Sequence, residues 1–203
     1  IQNEYLRKAS SKGVKFLNVS PLKSDLETVG ATKWIPLKPN TDVALMLALC
    51  YELDKVGFAN KDFIERYTVG FENFIGYLNG FSDGVVKSAH WASKITGINK
   101  EVIFDLIEEI KKSERTMISV SWSLTRQSHG EQPYWAAIAL ASIIGDIGKP
   151  GGGIGFGYSA MNSIGNYYEK IPAVSLPLGK NSIKKFIPVA RISEMLENPG
   201  ASF

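Results

Sequence analysis

The run Val43–Val56, VALMLALCYELDKV, places apolar residues on nearly every side of a helix. Such a helix cannot rest on a surface with one face in water; it has to be covered on more than one side. Ahead of it stands Pro39-Asn40-Thr41-Asp42. Pro39 breaks the preceding strand, Asn40 or Thr41 supplies an N-cap, and Asp42 falls in the first turn, where the helix dipole favours negative charge. At 203 residues, the chain is long enough to bury such a helix in one full α/β domain. Its 44% hydrophobic and 21% charged residues are those of a globular protein.

Short β-branched and aromatic runs surround the buried helix. VKFLNV (Val14–Val19) reads as a strand stopped by Ser20-Pro21, and Lys33–Leu37 as a second whose Pro36 suits a short or edge strand. Residues 61–98 read as short helices and loops rich in aromatics. Val102, Ile103, Leu106, Ile107 and Ile110 recur at helical spacing within Lys100–Lys112, after Asn99 as cap. Arg115–Ser121 gives a third strand, and a helix follows from Gln132 to Ile147. That order predicts a three-layer α/β domain, with a mostly parallel sheet flanked by helices. In such sheets ligands lie outside the carboxyl ends of strands. The loops after Val19, Leu37 and Ser121 meet that description.

The third loop, SWSLTRQSHGEQP (Ser121–Pro133), sets Trp122, Arg126, Gln127, His129 and Glu131 between two apolar segments. A guanidinium is costly to bury alone, so Arg126 is expected to be exposed or to meet an anion. Trp122 offers an apolar wall and one N–H donor. The group suits an anionic ligand with polar edges. At Asp42 two readings stand side by side: an ordinary helix start, or a carboxylate accepting the adjacent N1 and N2 donors of guanine.

Other features carry less. Gly155-Phe156-Gly157-Tyr158-Ser159-Ala160 fits G-x-G-x-x-A, but the Gly run follows a helix, whereas the dinucleotide fingerprint needs a strand before it and a helix after it. Gly148-Lys149-Pro150 is no phosphate loop. His90 reads as structural or surface, and His129 with a nearby Arg makes neither a triad nor a metal set. The single Cys50 reads as a buried apolar thiol and excludes a disulfide framework. The net charge of +3, without a long basic run, gives no nucleic-acid footprint. No apolar run reaches the ~20 residues of a spanning helix, so no membrane insertion is expected.

Taken together, several blocks resemble one family. They are Pro39-Asn40-Thr41-Asp42-Val43-Ala44-Leu45-Met46-Leu47, Arg66–Phe71, Ser82-Asp83-Gly84, Trp122–Arg126, His129–Pro133, Ile147–Tyr158, Ile187–Arg191 and Asn198-Pro199-Gly200. In order, and across essentially the whole chain, they resemble the molybdopterin oxidoreductases of the dimethyl sulfoxide reductase family. The nearest branch is that of the trimethylamine N-oxide and biotin sulfoxide reductases.

The resemblance implies an S- or N-oxide reductase with molybdenum held by two molybdopterin guanine dinucleotides. It places Trp122, Ser123 and Arg126 near the pterin and the metal pocket, with catalytic roles for Trp122 and Arg126. Asn40, Thr41 and Asp42 would hold one guanosine end, and Val19 and Ser20 would line the same nucleotide. The branch's metal-coordinating serine belongs to a motif upstream of Ile1, so no residue here is offered as a metal ligand. Residues 1–158 would then be a cofactor-binding domain without its N-terminal part, and 159–203 an irregular linker. Both ends look cut, and a fragment of a larger multidomain enzyme is expected. An electron-donor protein, such as a c-type cytochrome, is implied, with a periplasmic location, or a cytoplasmic one for a biotin sulfoxide reductase.

The sequence also departs from the family pattern. Asn40 replaces the usual Gly, Thr125 a common Gln, and Lys149 an apolar residue, while no basic residue follows Pro21. Two other classes are set against this reading. One is a nicotinamide-binding module using Gly155–Ala160; the other is a structural domain whose polar loop meets a partner.

Overall fold

The computed structural model describes residues 2–26, 29–30, 32–156, 177, 179–180, 182, 186–188 and 191–201. The chain forms two compact units, Ile1–Gly165 and Asn166–Phe203.

In the first unit, α1 (Gln2–Ser11) leads to β1 (Phe16–Val19), and β2 is Thr32–Ile35. These two strands pair in parallel, with Phe16 opposite Thr32 and Val19 opposite Ile35. The second strand ends one residue before Pro36 rather than running through it. A residue without an N–H cannot extend the ladder.

The apolar run becomes α2 (Asp42–Lys55), in which every residue from Ala44 to Cys50 is buried, together with Glu52 and Leu53. It packs against α7 (Gln132–Ile144), α5 (Ala89–Thr96), α4 (Phe71–Leu78) and α6 (Lys100–Lys112). Coverage from several helices is what its pattern demanded. Cys50 is fully enclosed, and burial pushes its thiol pKa far up. Between these helices, α3 (Lys61–Tyr67) is N-capped by Asn60, whose side chain accepts the Phe63 N–H at 3.0 Å. The buried Glu52 carboxylate accepts the Ala89 N–H at 2.9 Å, tying the start of α5 to α2.

β3 is Met117–Val120, and it pairs in parallel with β4 (Gly153–Phe156). Sequence patterning misses this fourth strand. α7 stops at Ile144, and Gly145 takes the left-handed C-cap at φ 77°. The chain then turns beneath Asp146, whose carboxylate accepts the Thr116 N–H at 2.9 Å and the Lys149 ammonium at 3.1 Å. A Cβ at Gly152 would stand 2.7 Å from that of Asp146, and one at Gly153 would stand 3.0 Å from the Ile147 Cα. The Gly richness therefore serves close passage of the backbone into a strand, which a side-chain pattern cannot reveal.

Parallel pairing flanked by helices is observed. The single sheet expected from the element order instead appears, among the described residues, as two two-stranded sheets. Gly155 pairs with Ser119 inside β4 instead of forming a turn after a strand. A strand thus stands where the sequence suggested only a helix before the Gly run, and Gly157–Ala160, on which the rest of the dinucleotide fingerprint depends, lie outside the described residues. In the second unit, α8 (Ile192–Glu197) follows Arg191, whose guanidinium meets Glu194 at 2.7 and 2.6 Å. The linker reading for 159–203 falls largely outside the described residues.

Candidate functional site

Because β1 and β2 run parallel, the loops after Val19 and Ile35 leave the same edge of their sheet. Val19 is half-buried against the core. Ser20 carries the ladder one step further, its N–H donating to the Ile35 carbonyl at 3.3 Å. Two side chains from the strands fasten this turn. The Trp34 indole N–H donates to the Ser20 carbonyl at 2.9 Å. The buried Asn18 amide donates to the carbonyls of Leu22 and Lys23 at 3.3 and 3.4 Å. Neither residue stood out in the sequence, since each reads as an ordinary strand position.

The second loop turns at Asn40, which adopts a left-handed φ of 65°. Asn tolerates that region better than most residues, which explains how it can stand where the resembling family carries Gly. Thr41 is the N-cap residue of α2, but its hydroxyl donates back to the Lys38 carbonyl at 2.6 Å instead of capping the helix. Asp42 is half-buried in the first turn. Burial raises its carboxyl pKa above the ordinary value, and only its own backbone amide opposes the shift. No other described group hydrogen-bonds to that carboxylate, so acceptor capacity remains at a helix N-terminus.

The third loop follows β3. Ser121 caps a 3-10 turn spanning Trp122–Thr125, its hydroxyl oxygen accepting the Ser123 N–H at 3.3 Å and the Ser123 hydroxyl at 3.0 Å. The turn folds back so tightly that a Cβ at Gly130 would fall 2.1 Å from the Thr125 carbonyl oxygen. His129 takes a left-handed φ of 57° to allow the reversal, and it sits 4.0 Å from Glu131, which is also exposed. The Glu131 carboxyl is held below its ordinary pKa, first by its own backbone amide and then by the Gln132 side chain. These two residues shape the loop.

Trp122 is 47% exposed, and its ring meets Phe156 at 5.9 Å. Arg126 is exposed, and its guanidinium has no ion pair or hydrogen bond among the described residues. The structure thus brings Trp122, Ser123 and Arg126 together on one turn, and Val19, Ser20, Asn40, Thr41 and Asp42 to one sheet edge. The two groups leave separate sheets. Among the described residues no three of His, Cys, Asp and Glu group as metal ligands would. A cavity of about 470 Å³ lies along α3 and α4, lined by Lys61, Ile64, Thr68 and Phe71. None of the candidate site residues on the three loops belongs to those elements.

Parallel strands, helices across their faces and unpartnered polar groups on the loops beyond them define a class. It comprises α/β domains built to take a ligand at strand ends. The family model of the molybdopterin oxidoreductases matches residues 1–200, and the chain belongs to that family. It is 49% identical over 201 residues to a biotin sulfoxide reductase of Cereibacter sphaeroides, covering 98% of this chain and 27% of that protein. It is 40% identical to a dimethyl sulfoxide/trimethylamine N-oxide reductase of Rhodobacter capsulatus, covering 98% of this chain and 25% of that protein. A trimethylamine-N-oxide reductase of Haemophilus influenzae is 38% identical, covering 97% of this chain and 25% of that protein. The chain thus spans about a quarter of the length of these relatives. Acetylene hydratase from Pelobacter acetylenicus shares the fold, with a TM-score of 0.62 and 22% identity over 74% of this chain and 20% of that one. Family membership implies a molybdenum–molybdopterin cofactor.

Proposed function

We propose that this chain is part of a molybdenum-dependent reductase that removes oxygen from an S-oxide or an N-oxide, and that it supplies part of the cofactor site. One observation carries the reading. In a chain of this family, the Asp42 carboxylate at the start of α2 and the Arg126 guanidinium after β3 both lack a side-chain partner among the described residues. Lone acceptors and lone cations at such positions fit a ligand with donor edges at one end and anionic oxygens at the other.

The residues fit a molybdopterin guanine dinucleotide. Asp42 would accept the guanine N1 and N2 donors, with Asn40 and Thr41 shaping the turn around the guanosine and Val19 and Ser20 lining it. Arg126 would give charge-assisted hydrogen bonds to pterin or substrate oxygen. Trp122 would wall the pocket and donate its indole N–H, and Ser123 would contact the pterin side. When bound, with a second dinucleotide completing the centre, the metal supplies the two-electron chemistry by which the oxide oxygen leaves as water. The protein contributes binding, orientation and electrostatics. In this reading residues 1–158 belong to the cofactor domain and 159–203 lead onward from it. A periplasmic setting with a c-type cytochrome donor, or a cytoplasmic one for biotin sulfoxide, completes the proposal.

The test is composition of the purified full-length protein. Molybdenum and releasable guanine nucleotide are expected, with guanine content reduced and the fold preserved in Asp42→Ala. Full nucleotide content in that variant would remove Asp42 from the site, and absence of molybdenum from the parent would overturn the reading. Turnover of biotin sulfoxide, trimethylamine N-oxide and dimethyl sulfoxide with a reduced dye ranks the substrates.

A further inference from the structure

Tyr134 lies in the first turn of α7, and its hydroxyl reaches thirteen residues back along the chain to donate to the Ser121 carbonyl at 3.0 Å. Ser121 is the residue on which the Trp122–Thr125 turn is built, because its own hydroxyl caps that turn. Burial raises the pKa of the phenol above its ordinary value, with the Thr125 backbone amide opposing the shift. The Tyr134 hydroxyl therefore holds the residue that opens the turn carrying Trp122 and Ser123. The Tyr134 ring meets Phe156 edge-on at 4.9 Å, and Phe156 in turn meets Trp122 at 5.9 Å. The three rings form a row, with the last residue of β4 in the middle.

This row answers a physical difficulty. Trp122 is half exposed, and its indole N–H has no partner among the described residues. A side chain so placed, on a short 3-10 turn, would sample several rotamers unless something behind it restricts them. A site that needs an indole in one place needs a support of this kind. A tyrosine serving only to fill space would work as well without its oxygen.

We propose that Tyr134 is the positioning residue of the Trp122–Arg126 loop, its hydroxyl pinning the turn while Phe156 backs the Trp122 ring. The proposal concerns the loop itself. Only its consequence for cofactor binding rests on the function proposed above.

The discriminating variant is Tyr134→Phe in the full-length protein, which keeps the ring and removes the pin. Amide hydrogen exchange over Ser121–Gln127 is expected to quicken roughly fivefold, the effect of one typical net hydrogen bond. Exchange within α2 should stay as it was. Phe156→Leu is expected to leave the Ser121 pin in place and increase acrylamide quenching of the Trp122 emission, isolated by subtracting a Trp122→Phe background. Unaltered loop exchange in Tyr134→Phe overturns the proposal whatever the activity does. So does an equal rise throughout α2, which would make Tyr134 a support of the fold. A loop that loosens while retained molybdopterin and turnover stay at wild-type levels supports the pin and sinks the cofactor-facing reading instead.

Discussion

Asp42 shows how a single carboxylate can be placed against stability. Its folded pKa lies above the ordinary 3.8 because burial penalises the charged form. A raised folded value means the folded chain holds this proton more tightly than the unfolded chain does. The associated stability is complete below the unfolded pKa and is lost as pH rises through the folded one. At neutral pH the ionised Asp42 therefore costs stability, even beside a helix N-terminus that favours it. Asp42→Asn is expected to melt at or above wild type at pH 7, with the difference shrinking toward pH 4, while guanine binding is lost. Thermal melts across that range check this; a clear drop at pH 7 would show the carboxylate to be a net stabilising group of α2. Asp42 was legible in the sequence as a first-turn residue. Its lack of a side-chain partner was not, because that depends on which groups the tertiary structure leaves within reach.

Among elements, α7 and α3 meet closely where Gly145 follows α7. Gly145 holds a left-handed φ of 77°, and a Cβ there would stand 2.4 Å from the Asn60 side-chain amide. Asn60 caps α3, and its backbone N–H donates to the Ile143 carbonyl at 2.8 Å. Gly145→Ala should therefore both strain one helix end and displace the cap of another, for a combined loss of about 2 kcal/mol. Urea unfolding measures it, and a loss within error would mean that Asn60 moves aside freely. The helices themselves were readable from periodicity, and α6 matches its expected span of Lys100–Lys112. β4 was not readable, since Gly153-Ile154-Gly155-Phe156 offers little side-chain pattern and its pairing with β3 is long-range. Caps were half readable. Asn99 and Thr41 occupy cap positions, but neither makes a side-chain cap bond.

At the scale of the whole molecule, the proposed function gives this chain one edge of a site rather than a closed one. Its candidate groups sit on two separate two-stranded sheets, and Trp122, Ser123 and Arg126 are exposed. Covering about a quarter of the length of its relatives, it offers no enclosed pocket around those groups among the described residues. A reaction that depends on excluding water and on several converging groups needs more walls than this. The chain alone is expected to show no reduction of sulfoxides or N-oxides with a reduced dye as donor, at any added molybdate concentration. Turnover above background would mean that the site is more complete than these loops suggest.

By itself, the sequence determined that Val43–Val56 had to be a helix covered on several sides and that the strands beside it would run parallel. These follow from local patterns of apolar residues, breakers and caps, which act within a few residues of where they stand. Only the tertiary structure decided that Gly153–Phe156 is a strand, that Asn18 and Trp34 fasten the first loop, and that Tyr134 and Phe156 stand behind Trp122. Apart from the short-range Asn18 bonds, those contacts join residues well separated in the chain. Their energies depend on distance and direction in space, which spacing along a sequence does not encode.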